Sequence, residues 1–216
     1  MALSSVDLVY YYTDTGSTTD TTTSLGETIN ANTIPSDTAN NFFDDVTGDE
    51  STAGDIEYRC FAFKNTSDTY DYINCKAWIT GCVRAAANKD TIGFALQDPD
   101  GGTVQNPADE STGPNSTAFT VPVGGGSTCS WTFEDGTDDN PSATLTYGTL
   151  PFGSFCAIWF RRDVPAGAAA YSNRATTIQW QGETTGSPLE TLTHTFVLSW
   201  GSEGLSVFSD INATTS

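Results

Sequence analysis

FCAIWFRR, residues 155–162, indicates the fold class because its apolar side chains alternate in two sets. Successive residues of a β-strand point to opposite faces of the sheet. Each face of this stretch carries apolar groups: Phe155, Ala157 and Trp159 on one, and Cys156, Ile158 and Phe160 on the other. A strand that is apolar on both faces is covered on both faces, so we predict that it lies at the centre of a layered β protein.

Two-residue alternation recurs along the chain, as expected for strands with one buried face. Alternating segments run over Ile73 to Ile79, Ile92 to Leu96, Phe119 to Val123, Trp131 to Phe133, Ile178 to Trp180 and Leu192 to Trp200. This regular spacing predicts an all-β fold, an antiparallel β-sandwich of immunoglobulin-like or jelly-roll-like type. The one predicted helix is short, from Thr38 to Val46, with Ser36 or Asp37 as its cap.

The beginning of the chain differs in composition from the rest. Val6 to Tyr12 has the pattern of a strand, but Thr13 to Thr23 is almost entirely Thr, Ser, Asp and Gly. We therefore predict an extended N-terminal strand and Thr/Ser-rich loop, or arm, over residues 1–35. Residues 36–216 are predicted to form a single β-sandwich domain, because all-β domains reach this size.

Three consecutive tyrosines, Tyr10, Tyr11 and Tyr12, cannot all face one core. We therefore predict that this run meets a partner or another layer. The two-sided strand around Trp159 also offers more apolar surface than one sandwich needs. Together these features favour a homo-oligomer.

The charge balance excludes some partners. The chain has 27 acidic and 8 basic residues and a formal net charge of -19. Such a surface repels phosphate backbones, so no nucleic-acid partner is expected. No membrane association is expected either, because no window approaches the roughly 18 uncharged apolar residues of a membrane helix.

The cysteines do not form a recognisable framework. Their number is odd and no CxxC pair occurs: Cys60, Cys75, Cys82, Cys129 and Cys156. A structural zinc site needs four clustered ligands, which this spacing does not supply. Free cysteine is one of the most buried residue types, so most of these thiols are predicted to lie in the core.

Catalytic constellations are missing from the sequence. The only histidine, His194, alternates with Leu192, Phe196 and Leu198, which predicts a structural residue facing the core. Gly124 to Thr128 has the glycines of a phosphate loop but no lysine before its Ser-Thr pair. We therefore predict that the protein is not an enzyme, and we assign no catalytic, cofactor-binding or metal-binding residue.

Calcium is the one ligand that stays open. Carboxylates cluster on two predicted turns: Asp98, Asp100, Glu134, Asp135, Asp138 and Asp139. Neither turn completes an EF-hand loop, and Asp is also a common turn residue without any metal.

Three motifs occur in a set order. Asn41–Val46 reads NFFDDV, Gly54–Thr66 fits GD-x-EYRC-x-x-x-KNT, and Arg161–Ala168 fits RR-x-VPAGA. In these motifs and in its opening Leu8 to Leu25 region, the chain resembles a family of tailed-bacteriophage virion proteins with an immunoglobulin-like or related β-sandwich. The family has Leu where Phe42 stands in the first motif.

The resemblance implies a non-enzymatic structural component of a tailed-virus particle, assembled in the host cytoplasm and located in the virion. Its partners would be other virion proteins of the capsid, neck or tail. A capsid decoration (cement) protein is the first expectation, and a neck, tail or fibre-associated protein is the runner-up. A carbohydrate-binding or adhesive β-sandwich module is the alternative from another class, with an exposed Trp78, Trp131, Trp180 or Trp200 as a stacking platform.

Overall fold

The computed structural model describes residues 3–14, 16, 19–80, 90–97, 104–114, 132–133, 144–168, 174–186 and 190–200. The helical segments within these ranges are short: one α-helix, α1 (Gly48–Ala53), and the 3₁₀ turns Ser5–Asp7 and Thr21–Thr23. The strands are β1 (Leu8–Thr13), β2 (Ile29–Thr33), β3 (Asp55–Asn65), β4 (Tyr72–Thr80), β5 (Thr91–Gln97), β6 (Thr132–Phe133), β7 (Leu145–Leu150), β8 (Phe155–Val164), β9 (Arg174–Thr184) and β10 (Thr191–Trp200).

Within the described part of the chain, the strands form two antiparallel sheets that pack together as a β-sandwich. The larger sheet has the order β2-β1-β3-β8-β5-β6, and the smaller one has the order β10-β9-β4-β7. The sandwich prediction is confirmed. The strand Phe155 to Arg162 is central as predicted, since β8 lies between β3 and β5.

Both faces of β8 are covered, but by different material. Ile158 and Phe160 belong to the core between the two sheets, whereas Trp159 lies in a smaller cluster on the outer side of the larger sheet. Residues 24–27 and 104–110 run over that outer side and bond to each other and to β3. Trp159 is 0% exposed, so the chain itself covers the apolar face that the sequence offered to a partner.

The close approach of these covering segments depends on a glycine. Gly26 has a φ of +100°, and a Cβ at this position would lie 1.8 Å from the carbonyl oxygen of Gln105 and 3.0 Å from the ring of Trp159. Only glycine combines that backbone conformation with such a contact.

The N-terminal segment is part of the sandwich. β1 pairs with β3 along its length and also with β2, so a boundary at residue 35 does not separate it from the larger sheet. Tyr10 and Tyr12 point into the core, and Tyr11 faces the other way with Lys64 over its ring. Only Tyr11 of the three predicted interface residues therefore keeps a partly exposed side chain.

The helix predicted from Thr38 to Val46 is wrong. Residues 38–46 form turns and extended chain, with Asn40 at a φ of 54°. The α-helix begins after this stretch, at Gly48, because Thr47 and Glu50 form a capping box. No helix in the described part of the chain has the length and apolar character to cross a membrane.

In one strand, β4, the side chains that face the core differ from those that alternation predicts. In β4, Cys75 and Ala77 are buried as expected, but Ile73 is only half-buried and Tyr72 takes the core position. Asn74 has a φ of 54°, and the pairing of β4 shifts register around it. This bulge reverses the alternation between Tyr72 and Cys75.

The hydroxyl of Tyr10 allows a direct test of the packing between the sheets. It accepts a hydrogen bond of 2.8 Å from Nε1 of Trp180, and both side chains are buried. We expect Tyr10→Phe to lower the free energy of unfolding by about 1–3 kcal/mol, because the buried indole N–H loses its acceptor. Denaturant titration measures the change.

Tyr11→Phe is the matched control, since its ring lies on the opposite face of the same strand and is partly exposed. We expect it to change the free energy of unfolding by less than about 0.5 kcal/mol. Equal losses in the two variants would contradict the assignment of Tyr10 to the core.

Candidate functional site

The three sequence motifs meet at one end of the sandwich. Glu57 and Arg59 lie on β3, Arg162 lies on the neighbouring β8, and Phe43 and Asp44 cover them from the preceding segment. We call these five residues the motif junction. Glu57, Arg59 and Arg162 share the inner face of the larger sheet with the core residues further along each strand.

Two guanidinium groups in the motif junction are removed from water. Arg59 and Arg162 are both 0% exposed, and Glu57 is 1% exposed. Glu57 accepts from Nε and Nη2 of Arg162 and lies 3.4 Å from Nη2 of Arg59. Glu110 contributes a second carboxylate oxygen, 2.6 Å from the same Nη2. Charges are tolerated in a protein interior when they are paired in this way.

The segment before α1 completes this pairing. The carbonyl oxygen of Asp44 accepts a hydrogen bond of 2.7 Å from Nη1 of Arg162, and its carboxylate lies 3.3 Å from Arg59 and 3.4 Å from Arg162. The ring of Phe43 faces both cations, with its centroid 5.2 Å from Arg59 Cζ and 4.6 Å from Arg162 Cζ. A ring at these distances attracts the cations through its π face.

Burial and the neighbouring positive charges have opposite effects on the pKa of Glu57. Burial raises the pKa of Glu57 to about 7, and the attraction of Arg162 and Arg59 limits the rise. Within the described residues, one group of carboxylates lies close enough to share a cation, formed by Glu50, Asp55 and Glu57. Both oxygens of Glu57 already contact guanidinium groups, so we assign no metal to it.

Gly54, in the GD-x-EYRC motif, allows the turn of the RR-x-VPAGA motif to approach the backbone closely. Gly54 has a φ of +80°, and a Cβ there would lie 3.0 Å from the backbone nitrogen of Ala166 and 3.1 Å from the carbonyl oxygen of Val164. The hydroxyl of Ser51 and its carbonyl oxygen bond to the backbone at Ala168 and Gly167. The turn after β8 therefore packs directly against α1.

The only histidine in the chain, His194, packs against aromatic side chains of the core. Its ring centroid is 5.7 Å from that of Tyr10 and 5.4 Å from that of Phe63. Burial lowers the pKa of His194 to about 4, and a hydrogen bond with the backbone of Leu8 opposes that effect. The prediction that His194 faces the core is confirmed.

The described thiols are also buried, and they form no disulfide with one another. Cys75 and Cys156 lie in the core between the sheets, and Cys60 lies in the smaller cluster beside Trp159. Burial raises the pKa of Cys75 to about 12, which keeps it a thiol at neutral pH. Cys82 and Cys129 lie outside the described residues.

An acidic cleft of about 450 Å³ lies beside the segments that cover Trp159. Asp14, Glu27, Asp109 and Glu110 contribute carboxylates to its lining. Asp109 accepts from the hydroxyls of Ser111 and Thr112, which lowers its pKa. These acids come from separate loops, so no sequence motif predicts the cleft. The carboxylates that the sequence offered for calcium, from Asp98 to Asp139, lie outside the described residues.

The outer face of the smaller sheet has a different chemistry. Two rows of side chains cross its strands, one formed by Thr193, Gln181, Lys76 and Thr146 and the other by Thr195, Gln179 and Trp78. Neither row contains an acidic residue, although the chain has 27 of them. We call these seven residues the polar face. The Lys76 ammonium lies 6.0 Å from the centroid of the Trp78 ring.

Of the four tryptophans considered as stacking platforms, Trp78 alone has a partly exposed side chain among those that the structure describes. Trp180 is buried between the sheets and stacks on Phe63 at a centroid distance of 4.4 Å. Trp131 and the side chain of Trp200 lie outside the described part of the chain.

Comparison with known proteins yields little. No protein-family model matches the chain. No curated protein matches it either. A solved structure described as "AvmM Catalyzes Macrocyclization in Alchivemycin A Biosynthesis" is similar over 74% of this chain and 93% of that one, with 12% identity and a TM-score of 0.26. A similarity of this size carries no argument about function.

Arg162 and Arg161 form a matched pair for testing the motif junction. We expect Arg162→Met to lower the free energy of unfolding by about 3–5 kcal/mol, because Glu57 would keep a buried charge with one cation fewer. Arg161 pairs with Asp163 near the surface at 2.6 Å, so Arg161→Met is expected to cost less than about 1 kcal/mol. Denaturant titration of both variants measures the difference, and equal costs would contradict a central role for Arg162.

The pKa of His194 can be measured without ambiguity, because the chain has one histidine. We expect its imidazole resonances to titrate near pH 4 in the folded protein, against an ordinary value of 6.5. Since the folded pKa is the lower one, His194 contributes stability above pH 6.5 that is lost as the pH falls toward 4, by about 3 kcal/mol at most. His194→Gln should therefore lose less stability over that window. A midpoint above pH 6 would place the ring in water instead.

Proposed function

We propose that the protein is a non-enzymatic structural component of a tailed-virus particle. The observation that supports this proposal is the convergence of three motifs in one buried junction, the third of them about a hundred residues from the first two. These motifs carry the resemblance to virion proteins, and their side chains pair with each other. This pairing supports a role for the motifs in the construction of the sandwich.

A capsid decoration protein is the first assignment within the particle. A sandwich with a net charge of -19 suits the outside of a shell, where the phosphates of the genome are not its neighbours. The high net charge also keeps the protein soluble before assembly. Its partners are then other virion proteins, with no nucleic acid and no membrane among them.

A neck, tail or fibre-associated position is the second assignment. The same composition and fold suit it, because these parts of a particle also lie away from the packaged genome. The two positions differ in copy number: a decoration protein follows the capsid lattice, whereas a neck or tail protein occurs in few copies at one vertex.

An adhesive or carbohydrate-binding role is the candidate from another class, and the polar face favours it. Trp78 offers a partly exposed ring, and the amides of Gln179 and Gln181 lie next to it across the strands. Sugars stack on aromatic rings and bond to amide and hydroxyl groups. Such a module would hold its ligand on a flat sheet and not in a cleft.

Purified particles provide the test. We expect the protein to be present in them by mass spectrometry, and a reconstruction to show its density on the outer surface of the capsid in a number that matches the lattice. A few copies at one vertex would move it to the neck or tail.

Absence from purified particles would contradict every virion assignment. In that case glycan-array binding that Trp78→Ala abolishes and Lys76→Ala weakens would support the adhesive module. Trp78 is a suitable probe because its ring lies on the outer face of β4 and not in the core.

A further inference from the structure

β10 forms one edge of the smaller sheet, and the direction of its backbone groups can be read from two contacts. The amide of Thr184 on β9 bonds to the carbonyl oxygen of Glu190, so the even-numbered residues face β9. Both the amide and the carbonyl oxygen of Val197 bond to residues outside the sheet, so the odd-numbered residues face outward. Alternation along an antiparallel strand gives Thr191, Thr193 and Thr195 the same outward direction.

The chain covers one half of this edge itself. Ser36 and Asp37 bond to the amide and carbonyl oxygen of Val197, and Asn41 bonds to the carbonyl oxygen of Val197 and the amide of Ser199. The segment between β2 and α1 thus satisfies the edge from Val197 onward. It ends short of Thr195.

Among the residues that the structure describes, the other half has none of the features that protect a sheet edge. Thr191 to Thr195 contains no proline and no lysine, and its pairing with β9 continues without a bulge. The side chains of Thr191, Thr193 and Thr195 are exposed. Proteins usually blunt long edge strands with charge, proline or a bulge, because an open edge pairs with other chains. We call this stretch the open edge.

We propose that the open edge pairs with the open edge of a second copy of the chain, antiparallel and with Thr193 opposite Thr193, to form one continuous eight-stranded sheet. The outward residues would then face each other as Thr191 with Thr195, Thr193 with Thr193 and Thr195 with Thr191. About six backbone hydrogen bonds would form across the axis.

The sequence of the open edge is suited to pairing with a second copy of the same edge. Its outward residues Thr191, Thr193 and Thr195 are all threonines, so the set of outward residues is symmetric about Thr193. Opposed threonines form favourable cross-strand pairs, whereas opposed like charges do not. A chain with a net charge of -19 repels its own copies over most of its surface. The open edge itself carries no acidic side chain, and its acidic neighbours Glu183 and Glu190 lie at its Thr191 end.

An exposed apolar residue lies close by. The 3₁₀ turn Ser5–Asp7 packs beside β10 and carries Val6, which is 79% exposed. The length of the paired edge is limited, because the next outward residue, Val197, is already bonded within its own chain.

The symmetry of this pairing permits a charge-exchange experiment on the full chain. Purified wild-type protein is expected to sediment as a dimer, with twice the 22.9 kDa of one chain, when salt screens its net charge. Thr193→Glu alone and Thr193→Lys alone should each be monomeric, because each places like charges opposite one another on the axis. An equimolar mixture of the two variants should regain the dimer.

Thr146→Glu is the matched control, an exposed threonine on the opposite edge strand of the same sheet, and it should dimerise like the wild type. Hydrogen exchange gives a second readout: the amides of Thr191, Thr193 and Thr195 should exchange at least about tenfold more slowly in the dimer than in Thr193→Glu. A monomeric wild type at high concentration and salt would overturn the proposal. So would a dimer that both single variants keep, or monomers in their mixture. This test uses no virus particle, so it succeeds or fails independently of the virion assignment.

Discussion

The pair formed by Glu57 and Arg162 is the interaction on which the rest of the structure depends. It joins β3 to β8, the two central strands of the larger sheet, at the end where the apolar core stops. Two arginines in that position would be costly by themselves, so the carboxylates of Glu57, Asp44 and Glu110 must all be in place. These carboxylates help to position the segment before α1 and the loop carrying Glu110, and in the former segment the buried ring of Phe42 also packs on Phe61 and Phe160.

The larger sheet carries a buried apolar cluster on each of its two faces. Between the sheets, aromatic rings from β1, β3 and β9 pack on one another. On the outer side, Trp159 is covered by two segments that approach it because residue 26 is glycine. The sandwich is thus three layers thick at this point, which explains how a central strand can be apolar on both faces in a chain that also leaves polar surface exposed.

Alternation predicted the sandwich because it reports which side chains face a core, and it placed β5, β8, β9 and β10 correctly. It was wrong at Ile73, where a bulge at Asn74 changes the face, since a bulge depends on backbone geometry that composition does not specify. The N-terminal tyrosines show a second limit of prediction from alternation. Sequence indicates that Tyr10 and Tyr11 face opposite ways, but only the neighbours of β1 decide which of them is inside. The charged residues of the motif junction belong to motifs that the sequence shows. Their pairing could not be predicted without the fold, because Glu57 and Arg162 are distant in sequence.

The pairing of β3 with β8 also has a consequence for synthesis on the ribosome. Asp55 lies opposite Val164, so about a hundred residues must be translated between the two partners of the central pair. Contacts of this span close large loops and make folding slow. The motif junction therefore forms only after Arg162 has been translated, because Glu57 and Arg59 lack that partner until then.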